Sequence, residues 1–206
     1  MSRGCFITLE GGEGTGKSTQ TARLADRLRR AGLEVVATRE PGGSPGAEEI
    51  RALLVSGAVD RWSAVTETLL LYAARADHLQ RVIRPALDRG AWVVCDRFAD
   101  STRAYQQGVA PSLLGALEKE VVDGDRPALT LVFDLPAEDG LARVAARGEG
   151  ATRFEARNAE FHGRLRAAFL EIARADPKRC TVIDARPRPE AVEVAVWAAV
   201  QARLQP

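Results

Sequence analysis

The 206-residue chain carries 29 basic and 28 acidic side chains, a formal net charge of +1. It therefore lacks the basic excess of a nucleic-acid binder. Hydrophobic residues make up 46% and charged residues 28%, as in an ordinary globular protein. The length suits one domain over 1–206, and no apolar run reaches membrane length. With no leader-like start, the expectation is a cytoplasmic protein. Cys5, Cys95 and Cys180 sit in or beside apolar runs and read as buried free thiols. His78 and His162 lack ligand spacing.

Apolar β-prone runs alternate with helical patterns along the chain. Residues 5–9 read as the first strand. The glycine-rich stretch 11–18 follows, then a helix over 19–30 with Leu24, Ala25 and Leu28 on one face. Gly32 is a plausible C-cap, and 33–38 is the second strand. Residues 39–46 are a loop by composition, and 47–56 a short helix. A long helical pattern runs over 63–89, with Pro85 expected to kink it or start a new segment. Residues 91–95 form the third strand, ending at Asp96-Arg97. Helix 112–123, strand 129–135 and helix 138–147 follow. The stretch 148–152 breaks the pattern, helix 155–175 resumes it, and 180–184 and 189–204 are the last strand and helix. This alternation predicts an α/β fold, with a five-stranded parallel sheet and helices on both faces. Ligands in such sheets sit at the carboxyl ends of the strands.

Residues 11–18, Gly-Gly-Glu-Gly-Thr-Gly-Lys-Ser, match G-x-x-x-x-G-K-[ST] in the strand–turn–helix setting the motif requires. Its backbone N–H groups wrap nucleotide phosphates at the positive end of the following helix. Lys17 reaches the β/γ-phosphates and Ser18 ligates Mg²⁺. Glu13, an acid inside the loop, is suited either to Mg²⁺ or to a hydroxyl of a second substrate, or else points to water. Asp96 could bind the metal and Arg97 clamp a phosphate; the bland alternative is a surface ion pair. Ser101, Thr102, Tyr105 and Gln106 offer neutral hydrogen-bonding groups suited to a base. Arg75, on a largely apolar helix, must meet a carboxylate or a ligand anion. Arg143, Arg147 and Arg153 flank the glycine-rich break. They are either a closing arginine cluster or a solvated charged loop.

Together these segments resemble the bacterial thymidylate kinase family. The matching pieces are 10–18, Thr38-Arg-Glu-Pro-Gly-Gly43, Glu49-Ile-Arg51, Tyr72-Ala-Ala-Arg75, Asp96-Arg-Phe-Ala-Asp-Ser101, Ala104-Tyr-Gln106, the 127–135 strand, 147–149 and Arg153-Phe-Glu155. The resemblance implies a three-layer P-loop kinase fold and transfer of the γ-phosphoryl of ATP to dTMP with Mg²⁺, a step in dTTP synthesis, by a homodimer. It implies that Gly11, Gly12, Glu13, Gly14, Thr15, Gly16, Lys17 and Ser18 hold ATP phosphates with Arg143 and Arg147. It places Glu13 near the sugar hydroxyl, and Arg51, Arg75 and Arg97 around the monophosphate and base. Ser101, Thr102, Tyr105 and Gln106 would line the nucleoside, and Ser18 and Asp96 the metal. The phosphate loop contains no Arg, so the chain resembles the members whose catalytic arginine lies in a mobile lid, here 147–155 with Arg153. The family's base-stacking aromatic sits four residues before Arg75. That position is Leu71 here, and the aromatic is Tyr72. The rival readings are a kinase for another nucleotide and a P-loop ATPase or switch.

Overall fold

The computed structural model describes residues 3–146 and 152–206. Five strands form one parallel sheet: β1 (Phe6–Gly11), β2 (Val35–Arg39), β3 (Trp92–Asp96), β4 (Leu129–Asp134) and β5 (Cys180–Asp184), ordered β2-β3-β1-β4-β5. The helices are α1 (Lys17–Arg30), α2 (Pro45–Val55), α3 (Ala64–His78), α4 (Arg84–Asp88), α5 (Ala99–Tyr105), α6 (Pro111–Val121), α7 (Ala137–Ala146), α8 (Ala159–Ala175) and α9 (Pro189–Leu204). The expected α/β fold, a five-stranded parallel sheet with helices on both faces, is what the chain adopts.

Alternation along the central strand explains the layering. Ile7 and Leu9 of β1 pack with Leu24 and Leu28 of α1 and with Val192, Val196 and Val200 of α9. Phe6 packs on the opposite side with Ile83, Leu87 and Phe98. There Leu165, Phe169 and Ala173 of α8 cover Val132 and Cys180. The i, i+4, i+8 spacing in α8 and α9 gives each helix one apolar stripe, and burying it on the sheet is what holds these helices. Because β1 lies between β3 and β4, the chain turns opposite ways on its two sides. The resulting crevice lies at the strands' carboxyl ends.

Three details differ from the sequence reading. Residues 99–105 form a helix, α5, which their polar composition hid. The pattern over 63–89 is interrupted by a π-helical turn at Leu79–Ile83 that the sequence did not signal, after which Pro85 starts a new segment, α4, as one of the two expectations had it. Proline lacks an N–H, so a widened turn absorbs the missing bond. Helix α8 begins at Ala159 rather than near 155, because Asn158 caps it, its side-chain oxygen accepting from Phe161 N at 2.9 Å.

Candidate active site

The phosphate loop is shaped by close backbone contacts. Gly11, Gly14 and Gly16 have φ of 140°, 69° and 86°, in the region that favours glycine. A side chain at Gly14 would lie 2.1 Å from the Gly140 carbonyl, and one at Gly11 2.6 Å from that of Phe133. The loop is therefore wedged against β4 and α7. Helix α1 has no side-chain cap and no acid in its first turn, so its N–H groups and dipole face the crevice, an arrangement made for an anion. Lys17 Nζ donates to Gly12 O at 2.6 Å and to Thr15 Oγ1 at 3.2 Å. Burial and the nearby Arg97 push its ammonium down to about 8, against the pull of Glu13, Asp96 and Glu10.

Two strand ends meet beside this loop. Ser18 Oγ donates to Asp96 Oδ2 at 2.5 Å, while Asp96 Oδ1 is buried without a partner. Arg97 follows with φ 70°. Its guanidinium donates to Gly11 O at 2.8 Å, to Ser101 Oγ at 3.2 Å and to Glu13 Oε1 at 3.0 Å. It lies 5.3 Å from the centre of the Tyr105 ring, whose hydroxyl donates to Glu13 Oε1. Glu13 thus turns inward. Burial raises its carboxyl, but Arg97, Lys17 and the Tyr105 hydroxyl outweigh this and hold it at about 2.

Glu13 and Arg97 form a wall shared by two chambers. The larger, about 520 Å³, contains Lys17, Ser18, Arg39, Arg51, Asp96 and Arg143. The smaller is lined by Leu71, Arg75, Phe98, Ser101, Thr102, Tyr105 and Phe154. Behind it, Arg75 Nε donates to Glu40 Oε2 at 2.9 Å and Nη2 to Thr102 Oγ1 at 2.9 Å, while Nη1 is buried and unpartnered. Glu40, the acid of the Arg-Glu-Pro-Gly-Gly run, also meets His78 Nδ1 at 3.1 Å, and His78 Nε2 meets Thr38 Oγ1 at 2.8 Å. A side chain on Gly43 would lie 2.4 Å from the His78 ring. This explains the run: its acid pins two α3 side chains, and its glycine makes room for one of them.

The structure does not gather every expected residue. Leu71 lines the small chamber, but Tyr72 is 2% exposed and lies under Arg75, with 4.8 Å between guanidinium and ring centre, so it presents no face to a base. Gln106 lies beyond Tyr105 and bonds Glu67. Arg153, expected on a mobile lid over the cleft, is buried in the wall. It pairs with Glu67 and donates to Leu54 O at 2.9 Å and Val59 O at 3.0 Å. Glu67 sits on α3, far away in sequence, and draws the guanidinium inward. Arg51 lines the cleft and donates to Pro41 O at 2.7 Å. Arg143 does so while holding Ala185 O and Arg186 O at 2.9 and 3.1 Å. Arg147 and the expected lid residues 147–151 lie outside the described residues. Phe98 and Phe154 line the small chamber without having been singled out. Both stand inside matched motifs, next to the arginines that drew attention.

No group of three or more His, Cys, Asp and Glu among the described residues could hold a metal by itself. Ser18 with Asp96 is nonetheless a fit for Mg²⁺, which keeps several waters and takes few protein ligands alongside substrate phosphates. The unpartnered Asp96 Oδ1 is the free ligand atom such an ion requires.

A five-stranded parallel sheet with a phosphate loop after its central strand, and a second chamber behind it, defines a P-loop kinase. The family model described as thymidylate kinase matches residues 9–196. A thymidylate kinase of Caulobacter vibrioides is 64% identical over 99% of both chains, and one of a Bradyrhizobium species is 55% identical over 98% of this chain and 92% of its own. The crystal structure of thymidylate kinase from Ehrlichia chaffeensis superposes with a TM-score of 0.77 at 32% identity, over 97% of this chain and all of its own. The chain belongs to the thymidylate kinase family, enzymes that phosphorylate dTMP.

Proposed function

We propose that the larger chamber holds the ATP phosphates and the smaller one the nucleoside of dTMP, with the acceptor phosphate at the shared wall of Glu13 and Arg97. The observation that carries this reading is the wall itself, where one loop acid and one strand-end arginine border both chambers. An acceptor oxygen of dTMP attacks the γ-phosphorus, the bond from that phosphorus to the bridging oxygen breaks, and ADP and dTDP result. Lys17 and the N–H groups of 11–18 stabilise charge on the transferring group. Arg97, with Arg51 nearby, orients the acceptor phosphate. Glu13, ionised and fixed by Tyr105, accepts from a sugar hydroxyl. Arg75 and Thr102, tied to one another, read the base, with Leu71, Phe98 and Phe154 as its apolar walls.

Ser18 and Asp96 would hold Mg²⁺, which when bound neutralises phosphate charge. We read the described part of the expected lid, 152–155, as covering the cleft, Thr152, Phe154 and Glu155 already lining it, within one catalytic domain. Leu53, Val65 and Leu69, exposed by 41, 46 and 48% on α2 and α3, support a homodimer through these helices. No helix among the described residues is long and apolar enough to cross a membrane, consistent with a cytoplasmic enzyme.

A coupled ADP-release assay with each monophosphate in turn tests the assignment. Turnover should require an added monophosphate and favour dTMP strongly, because unpaired polar groups in a base site reject the wrong base. Equal kcat/KM for dCMP and dTMP would refute the base assignment, and ATP turnover without an acceptor would favour an ATPase.

A further inference from the structure

One ionisable side chain at the centre of the fold has no place in the scheme above. Glu10, next to last in β1, has no solvent exposure. Its Oε1 accepts the backbone N–H of Phe98 at 2.8 Å, and its Oε2 accepts the Ser101 hydroxyl at 2.5 Å. Both partners are neutral. Burying a carboxyl on such terms is costly, and burial together with the charge of Asp100 pushes it up to about 8.

What Glu10 holds is the turn that carries Arg97. With φ at 70°, Arg97 occupies a conformation that a residue with a side chain adopts only when its surroundings over-determine it. Its own N–H donates to Leu9 O at 2.9 Å, and the Cys95 thiol donates to its carbonyl at 3.0 Å. The next N–H, that of Phe98, goes to Glu10. Ser101 Oγ stands between Glu10 and the Arg97 guanidinium, donating to the first and accepting from the second. One carboxyl therefore fixes both the backbone after Arg97 and, through Ser101, the direction of its side chain.

We propose that Glu10 is a positioning residue for acceptor binding: its carboxyl locks the Arg97–Ser101 turn so that the guanidinium faces the wall where the two chambers meet. This rests on the reading of Arg97 as the residue that orients the acceptor phosphate.

The test is dTMP affinity by calorimetry, without ATP, in Glu10→Met, Arg97→Ala and the double variant, with Glu10→Gln as the conservative variant. Glu10→Met should weaken dTMP about tenfold, the scale of one or two lost hydrogen bonds, with affinity for a non-hydrolysable ATP analogue kept within about twofold by the same standard. Glu10→Gln, which keeps an acceptor for Phe98 and a polar partner for Ser101, should restore most of the loss. In the Arg97→Ala background the Glu10→Met effect should disappear, because coupled residues are not additive. An equal loss in both backgrounds, or no loss beside an intact Arg97, overturns the proposal. If Arg97→Ala alone leaves dTMP affinity unchanged, the reading of Arg97 fails first and the positioning role falls with it. Should Glu10→Met not fold, the same cycle with Ser101→Ala decides: loss only beside Arg97 supports the relay, and equal loss in both backgrounds overturns it.

Discussion

The two sides of the phosphate cleft use arginine in opposite ways. On the strand-end side, Arg97 faces the chambers, held by Gly11 O, Ser101 and Glu13. On the other side, Arg153 stands in a motif that marks it equally for phosphate, yet it is turned into the wall and tied to Glu67, Leu54 and Val59. The difference is where the nearest carboxylate lies. Glu13 belongs to the cleft, so the arginine it attracts stays at the cleft. Glu67 belongs to the interior, so its arginine becomes an anchor.

Substitutions can break this contrast. The largest effect expected is on stability, from Arg153→Ala. Its side chain is completely buried, and removing one partner of a buried ion pair costs about 3–5 kcal/mol. Thermal melting should show a Tm drop of about 6–20 °C, while kcat of the folded fraction stays within about threefold, far from the 10³–10⁵ of a finger arginine. A hundredfold loss of kcat at unchanged Tm would return Arg153 to the cleft.

Lys17→Ala should show the reverse pattern. Lost electrostatic stabilisation of the transferring group is worth about 3–4 kcal/mol, or 10²–10³ in kcat, and melting should change little, since Lys17 bonds only its own loop. Near-normal turnover in this variant would remove Lys17 from the chemistry. Arg97→Ala should be intermediate. It should weaken dTMP by about 10- to 100-fold, the scale of charged hydrogen bonds, and also lower Tm, because Glu13 loses its counter-charge. Calorimetry and melting on one sample measure both.

The smallest effect is a pH dependence. Glu13 titrates near 2 in the fold against 4.5 ordinarily. Its contribution to stability is thus complete above 4.5 and is lost as the pH falls towards 2. Between pH 4.5 and 3 this amounts to about 2 kcal/mol at one unit per 1.36 kcal/mol. Urea titrations across that window should show a steeper slope in the native protein than in Glu13→Gln, whose remaining slope comes from other paired carboxylates such as Asp125 and Asp184. Equal slopes would mean that Glu13 does not face Arg97.

Parts of the site that lie on one stretch of chain were legible in advance. The phosphate loop was, because its glycines, Lys17 and Ser18 act through local geometry. The need for a partner at Arg75 was also readable, since an unpaired buried charge is untenable. That the partner is Glu40 was not, because it arrives from the loop just after β2. Helix α5 went unread because Ser101, Thr102 and Tyr105 face a chamber and Asp100 pairs with the distant Arg179, leaving no apolar period to detect. Gln106 shows the same limit, its neighbours lining the small chamber while its amide bonds Glu67.

The sequence by itself determined the alternation of strands and helices, the phosphate loop after β1 and the family. Each is written in short-range pattern, in side-chain period, turn chemistry and motif order. Only the tertiary structure decided which charges face the cleft. It put Leu71 rather than Tyr72 on the small chamber, closed Arg153 onto Glu67, and set Glu10 under the Arg97 turn. Such choices depend on which distant carboxylate or backbone carbonyl lies within about 3 Å of a side chain, and that separation exists only once the strands are side by side.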